Sequence, residues 1–449
     1  MTKKSIYAII VILFVLTSGF IVLKYQNDKK KNDTRTYELL PRSNASAQYA
    51  DWITVKNNAA DLLMKIKANE NDLQSKIKLS ALYLQEARIS GNYMYYDVAA
   101  LRLVNDVLKK DANSFEGLTF KALIYLSQHH FAEGLAVAEQ VRQLYPYNAF
   151  VYGILTDANA ELGRYDSALV SADKMVSIRP DLRSYSRISY QREIHGDNDG
   201  AIEAMKLAID AGSPGDESTE WSRIQLAKLY EHTGQAGYAK MNYTIALSNR
   251  PDYPYALAGL ARISIAEKNY PKAIELYKKA DSSITDFTIK EELAQAYLLS
   301  GNKKDADQLS EMIVEEMVKA SQKNKASDTS GHYSDREIAY AYINTGNYNK
   351  ALEHAMIEYG RRPENIDVNE TVAWVYYNKG DTEKAVQYIK EALKTNSKNP
   401  VLLCRAGLIY AKAGDKEKAK TLLQESLKND PVISPVLKSQ GEEMLKRLQ

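Results

Sequence analysis

One cysteine, Cys404, stands among 449 residues, so no internal disulfide framework braces this chain. Chemistry-bearing motifs are equally sparse. There is no glycine-rich phosphate loop ending in Lys-Ser or Lys-Thr and no HExxH helix. Six histidines (His129, His130, His195, His232, His332, His354) are scattered along the sequence. The adjacent pair His129–His130 falls at a helix–helix turn. Solvent-facing rings are expected there, and a metal centre, which normally needs at least three donors, is not. The formal net charge is only +2, with no basic stripe of the density that phosphate binding demands, which argues against a nucleic-acid partner. No enzyme activity, metal or cofactor is expected from such a sequence.

Long apolar runs are missing too, with one exception. Ile6–Leu23 is apolar apart from Thr17, Ser18 and Gly19; it follows Lys3 and Lys4 and precedes Lys24 and Lys29–Lys31. About 20 residues span the hydrocarbon core of a bilayer as a helix, so residues 1–25 read as an N-terminal transmembrane anchor or signal. Thr17-Ser18-Gly19 is a poor cleavage site and apolar residues continue past it, which favours an uncleaved anchor. The basic downstream flank, Lys24 to Arg35, argues for a cytoplasmic carboxyl side. A basic start followed by an apolar run argues for export. The reading adopted is a single-pass membrane protein with an extracytoplasmic (periplasmic) body, the cytoplasmic side remaining open. Residues 26–49, polar and containing Pro41, read as a flexible tether.

What the chain does have is a repeat. Gly91, Gly163, Gly196, Gly234, Gly301, Gly346, Gly380 and Gly414 each follow helix-forming sequence. Five residues after most of them stands an alanine: Ala168, Ala201, Ala239, Ala306, Ala351, Ala385 and Ala419. Seven residues before stands a small side chain: Thr156, Ser189, Ala227, Ala294, Ala339, Ala373 or Gly407. Two further units, centred on His129 and Lys268, lack the glycine but keep small neighbours. Small residues let two facing helices approach closely, and glycine closes the turn between them. Rings such as Tyr230, Tyr297, Tyr376 and Tyr410 precede the glycine and should fill the space between hairpins. Pro146, Pro180, Pro251, Pro363 and Pro431 end the second helix of their units. A period of about 34 residues means a solenoid.

This order of small residue, tyrosine, glycine, aromatic, alanine and proline resembles the tetratricopeptide repeat family, and specifically its membrane-anchored bacterial-type members. The resemblance covers about residues 75–431. It implies an all-α, right-handed superhelical solenoid of about ten helix-turn-helix repeats behind the N-terminal transmembrane helix. On that plan residues 50–74 form a capping helix, 75–318 repeats 1–7, 319–331 a loop or hinge, 332–431 repeats 8–10, and 432–449 a C-terminal cap. The hinge reading rests on the polar stretch KASQKNKASDTS, which lacks a helical apolar pattern. A four-residue insertion at Met94–Asp97 lengthens the first unit.

The resemblance also implies that the first helix of each repeat lines a concave groove. Counting back from the glycines places Phe150, Asp157, Arg183, Tyr190, Trp221, Lys228, Tyr255 and Arg262 on that inner face before the hinge. Tyr333, Arg336, Tyr340, Glu370, Trp374 and Tyr377 follow after it. Large rings among arginines and carboxylates suit a recognition surface; the alternative is that the rings pack against neighbouring first helices. Some members of the family hold a terminal carboxylate with a lysine–asparagine–arginine clamp. Arg183 and Arg187 resemble its last pair, but Thr119, Leu123 and Ile154 stand where its lysine and asparagines are needed. The function expected is a non-catalytic, membrane-tethered scaffold binding a protein segment, extended or helical, in the groove. The alternative is an accessory protein of envelope polysaccharide assembly or export that binds glycan there.

Overall fold

A computed structural model describes residues 13–24, 37–49, 51–325, 331–428 and 433–448. Lys3, Lys4, residues 6–12 of the apolar run, most of its basic downstream flank, residues 26–36 of the tether, residues 326–330 and Pro431 lie outside the described residues. The chain divides into two compact units, Met1–Leu40 and Pro41–Gln449. In the first, helix α1 covers residues 13–24. Among the described residues no helix is long and apolar enough to cross a membrane. The expected transmembrane helix, the single-pass membrane localisation with periplasmic repeats, and the membrane as a partner are corrected on that finding.

The second unit is helical throughout, with no strand among the described residues. After a short 3-10 turn (Asn44–Gln48), helix α2 (Asp51–Ala68) caps the array. Ten hairpins follow. Repeats 1–3 are α3 (Leu73–Ser90) with α4 (Tyr93–Lys110), α5 (Phe115–Ser127) with α6 (Phe131–Leu144), and α7 (Ala149–Glu161) with α8 (Tyr165–Ile178). Repeats 4–6 are α9 (Leu182–Ile194) with α10 (Asn198–Asp210), α11 (Glu217–His232) with α12 (Ala236–Asn249), and α13 (Pro254–Ala266) with α14 (Tyr270–Asp281). Repeats 7 and 8 are α15 (Phe287–Leu299) with α16 (Lys303–Lys325) and α17 (Asp335–Asn344) with α18 (Tyr348–Arg361). Repeats 9 and 10 are α19 (Ile366–Lys379) with α20 (Thr382–Ala392) and α21 (Pro400–Lys412) with α22 (Lys416–Lys428), and α23 (Pro435–Arg447) closes the end.

Each hairpin follows from the repeat chemistry. The alanines Ala168, Ala201, Ala239, Ala351, Ala385 and Ala419 are completely buried between paired helices. Side-chain oxygens of Asp72, Ser114, Asn148, Asp181, Asp286, Asn365 and Asn399 accept backbone N–H groups at the start of first helices, each worth about 1 kcal/mol. The glycines supply the left-handed turn, with φ +79° at Gly163 and +86° at Gly380. In the two units without glycine, His129 and Lys268 adopt that conformation themselves, at φ 61° and 58°. The insertion at Met94–Asp97 is absorbed as an extra helical turn: α4 has 18 residues where α6 and α8 have 14. The polar stretch expected to be a hinge continues α16 as helix through Lys325. At the C-terminal cap Leu437 is buried, whereas Val436 is 46% exposed.

The array winds back upon itself. The Thr285 N–H donates to the Ser90 carbonyl at 3.0 Å, and Tyr333 N–H to the Gln128 carbonyl at 3.0 Å. Ile366 N–H donates to the Tyr165 hydroxyl at 2.9 Å, and Arg362 pairs with Glu161 at 2.5 Å. A Cβ on Gly91, Gly163 or Gly196 would overlap the carbonyl groups of Thr285, Glu364 or Asn396 respectively. The hairpin tips of repeats 1 to 4 therefore meet the turns that precede repeats 7 to 10. Ahead of repeat 1, Tyr49 continues the series by donating its hydroxyl to the Pro251 carbonyl at 3.2 Å, before repeat 6. About six repeats complete one superhelical turn, and successive turns touch along a continuous seam. Residues from Pro41 onward belong to this body: Arg42 is 6% exposed and bonds Glu86 and Asp51.

Candidate ligand-binding inner face

Consecutive first helices are tied across the inner face by ion pairs one repeat apart. Arg187 of α9 reaches Asp157 of α7, donating through Nε and Nη2 at 2.9 and 2.5 Å. Glu193 of α9 pairs with His232 of α11 at 3.0 Å. Arg262 of α13 spans Glu231 of α11 and Glu292 of α15, both at 3.3 Å, and donates to the Tyr243 hydroxyl at 3.0 Å. In repeats 8–10, the Tyr340 hydroxyl donates to Glu370 at 2.5 Å, and Arg405 reaches that hydroxyl at 2.9 Å and Glu370 at 2.5 Å. Such charge-assisted bonds are stronger than neutral ones and fix how each helix sits on the next.

Other inner-face groups have no such partner among the described residues. Arg183 is exposed, lies 5.2 Å from the Phe150 ring and makes no ion pair. Burial pushes its guanidinium below its ordinary range against the opposing pull of Asp181, with Arg187, Arg179 and Arg88 adding to the push. Lys228 makes no ion pair either; burial and then Arg262 push its ammonium down. Arg336 lies 5.5 Å from the Tyr340 ring and donates only to the Thr371 hydroxyl, at 3.3 Å. Tyr190 is 40% exposed, yet its phenol is held well above its ordinary range by burial and by Glu161 and Asp367. Glu161 of repeat 3 and Asp367 of repeat 9 thus both bear electrostatically on Tyr190 of repeat 4.

The remaining expected residues fall in different settings. Trp221 is 37% exposed with Arg88 5.9 Å away, and Tyr255 sits edge-on to Tyr253 at 5.6 Å. Trp374 is 8% exposed, stacked on Tyr377 at 4.8 Å with Arg405 5.0 Å from it, within the core of the last repeats. Tyr333 lies at the seam, stacked on His130 at 3.8 Å with Arg361 at 3.9 Å. The histidine pair lies there too: His130 is 6% exposed and bonds the Gly331 carbonyl at 2.5 Å, while His129 bonds that of Tyr333 at 2.8 Å. Among the described residues no group of three or more His, Cys, Asp or Glu is placed to hold a metal ion. Arg187, half of the incomplete carboxylate clamp, is committed to Asp157.

Glu292, Arg405 and Tyr243 escaped the sequence reading. Opposite charges about one repeat apart, as in Asp157/Arg187 and Arg262/Glu292, are the signal that marks them.

Profiles of the tetratricopeptide repeat match residues 225–287, 366–399 and 401–432, so the chain carries tetratricopeptide repeats. A stretch of 76 residues, 17% of the chain, is 36% identical to the small glutamine-rich tetratricopeptide repeat-containing protein 2 of Saccharomyces cerevisiae. That stretch spans 21% of the yeast protein's length. Among solved structures, the human IFIT1 dimer with PPP-AAAA aligns over 78% of this chain and 90% of its own, at 15% identity and TM-score 0.44. Yeast Tom70 aligns over 90% and 94% at 13% identity and TM-score 0.35.

Proposed function

We propose that this tetratricopeptide-repeat chain is a non-catalytic interaction scaffold that binds an extended polypeptide segment along the inner face of its solenoid. One observation carries the reading: on the inner face Arg183 and Lys228 make no ion pair among the described residues, and the Tyr190 ring is 40% exposed. Keeping a half-buried cation such as Lys228 without an ion pair costs stability, a cost that a ligand completing it would offset. Width favours an extended chain. Six first helices spaced about 8–10 Å apart place their axes on a ring of about 10 Å radius. Helices of about 5–6 Å radius with side chains then leave a bore of roughly 7–10 Å. A peptide in extended form fits that bore, and a helix does not.

Charge favours polypeptide over nucleic acid. The inner face sets Asp157, Glu193, Glu231, Glu292, Asp367 and Glu370 among its cations, and Arg187, Arg262 and Arg405 are already committed to these carboxylates, so few cations are left for phosphates. Nothing specific favours the glycan alternative, because Trp374 is enclosed by Tyr377 and Arg405. The test is fluorescence anisotropy of a labelled library of unstructured peptides against the full chain. Tyr190→Ala, Lys228→Ala and Asp367→Ala combined should weaken binding of the selected peptide at least tenfold. Tyr147→Ala, at an outer position 82% exposed, should leave it unchanged. Equal binding by the triple variant removes the inner face from the reading. Equal binding of a single-stranded RNA of matching length would put nucleic acid in place of polypeptide.

A further inference from the structure

The seam restricts how any occupant reaches the inner face. In an open solenoid a partner docks sideways between successive superhelical turns. Here that gap is occupied at five successive places, from Tyr49–Pro251 through Ser90–Thr285, Gln128–Tyr333 and Tyr165–Ile366 to Gly196–Asn396. Ser90–Thr285 and Gln128–Tyr333 are backbone hydrogen bonds, Gly196–Asn396 is a backbone-to-backbone approach, and Tyr49–Pro251 and Tyr165–Ile366 run through tyrosine hydroxyls, the second beside the backbone approach of Gly163 to Glu364. Around them lie the Glu161–Arg362 pair, the His130–Tyr333 stack, and Arg250 at 4.3 Å from the Tyr49 ring.

We infer that the inner channel is closed along its side and is loaded from its ends, so that its partner is a linear polypeptide with at least one free terminus. The inference rests on the inner-face reading above and narrows it: an internal loop of a folded protein, or a segment flanked on both sides by folded domains, is excluded from the channel. Glycine usage carries independent support. Gly91, Gly163 and Gly196 have no room for a Cβ because the next turn's backbone lies against them. Gly301, Gly346, Gly380 and Gly414 occupy the same place in repeats 7–10, share the left-handed φ, and have nothing within 4 Å of a built Cβ. Substituting either group imposes the same local backbone cost, so any difference between them reports the seam alone.

The first measurement needs no variant. The peptide selected above is presented to the full chain with one terminus free, and again with a folded domain of about 75 residues fused at each end. The free-ended form should associate at least tenfold faster. Gly163→Ala should bring the doubly blocked form to within about threefold of the free one, and Gly380→Ala should not. Hydrogen exchange of the Thr285, Tyr333 and Ile366 amides reads the seam itself. These amides should be protected in the native chain and in Gly380→Ala, and Ile366 should exchange at least tenfold faster in Gly163→Ala. Equal association of free and blocked peptides would overturn end-loading while leaving the inner-face reading intact. Unprotected seam amides in the native chain would overturn it as well. Failure of both peptides to bind a chain with protected amides would remove the inner-face reading, and end-loading with it.

Discussion

A single buried carboxylate shows how far the repeat pattern can be bent. Asp97 lies in the inserted turn of α4, is 1% exposed, and accepts only the Ser127 hydroxyl at 2.6 Å, its other oxygen lacking a partner. Burial pushes its carboxyl up to about 7, with the Ser127 hydrogen bond pulling the other way. The folded chain therefore holds a proton that the unfolded chain releases near pH 4. This group's effect on stability is least harmful below about pH 4 and becomes steadily more unfavourable as pH rises through about 7, by on the order of 3–4 kcal/mol in full. Asp97→Asn should be more stable than the native chain at pH 8. It should also lose most of the decline between pH 4 and 7, read from urea midpoints across that range. An unchanged pH profile would mean that Asp97 is ionised in the fold.

At the scale of elements, the ion-pair ladder decides how first helices stack. Arg262 holds α11, α13 and α15 together, and Glu231, whose side chain is 3% exposed, has no other cation within bonding distance. Arg262→Met should cost about 2–4 kcal/mol, because a buried carboxylate is left uncompensated. Adding Glu231→Gln should return a good part of it, both read as urea midpoints. A double variant no better than the single one would mean that lost packing, not the stranded charge, sets the cost. The hairpins themselves were legible in the sequence because glycine, alanine and proline each act within one unit: the buried Ala385, the turn at Gly380 and the stop after Arg361 are local consequences. The cap was legible for the same reason, with Trp52, Val55, Ala59 and Leu62 buried as spaced. The seam was not. Whether Gly163 meets Glu364 depends on small rotations summed over six hairpins, and no single unit encodes that sum. The inner face was legible as a stripe but not in its pairings. Trp374 and Tyr333 share the register of Trp221 and Tyr190, yet the last repeats and the seam enclose them. The apolar start misled because its composition suits a bilayer, yet among the described residues no helix is long and apolar enough to cross one.

For the molecule as a whole, the seam turns a chain of neighbours into one cooperative body. Repeat arrays held only by nearest neighbours unfold piecemeal. Here repeats 2 and 3 are bonded to the starts of repeats 8 and 9 across more than 200 residues, 204 in the case of His129 and Tyr333. The three tryptophans sample this directly, since Trp52 lies in the N-terminal cap, Trp221 in repeat 5 and Trp374 in repeat 9. Single-tryptophan variants should show coincident urea midpoints in the native background and separated ones with Gly163→Ala. Separated midpoints in both would mean that the seam adds no cooperativity. The same long separation sets the order of events during synthesis. Repeats 1 to 4 leave the ribosome and form their local contacts well before repeats 7 to 10 exist. Their bare tips must stay unmated until the chain is nearly finished. Closure of the coil is then the slow, late step expected of distant contacts, and a stalled or truncated chain would present those unfilled backbone edges to whatever is nearby.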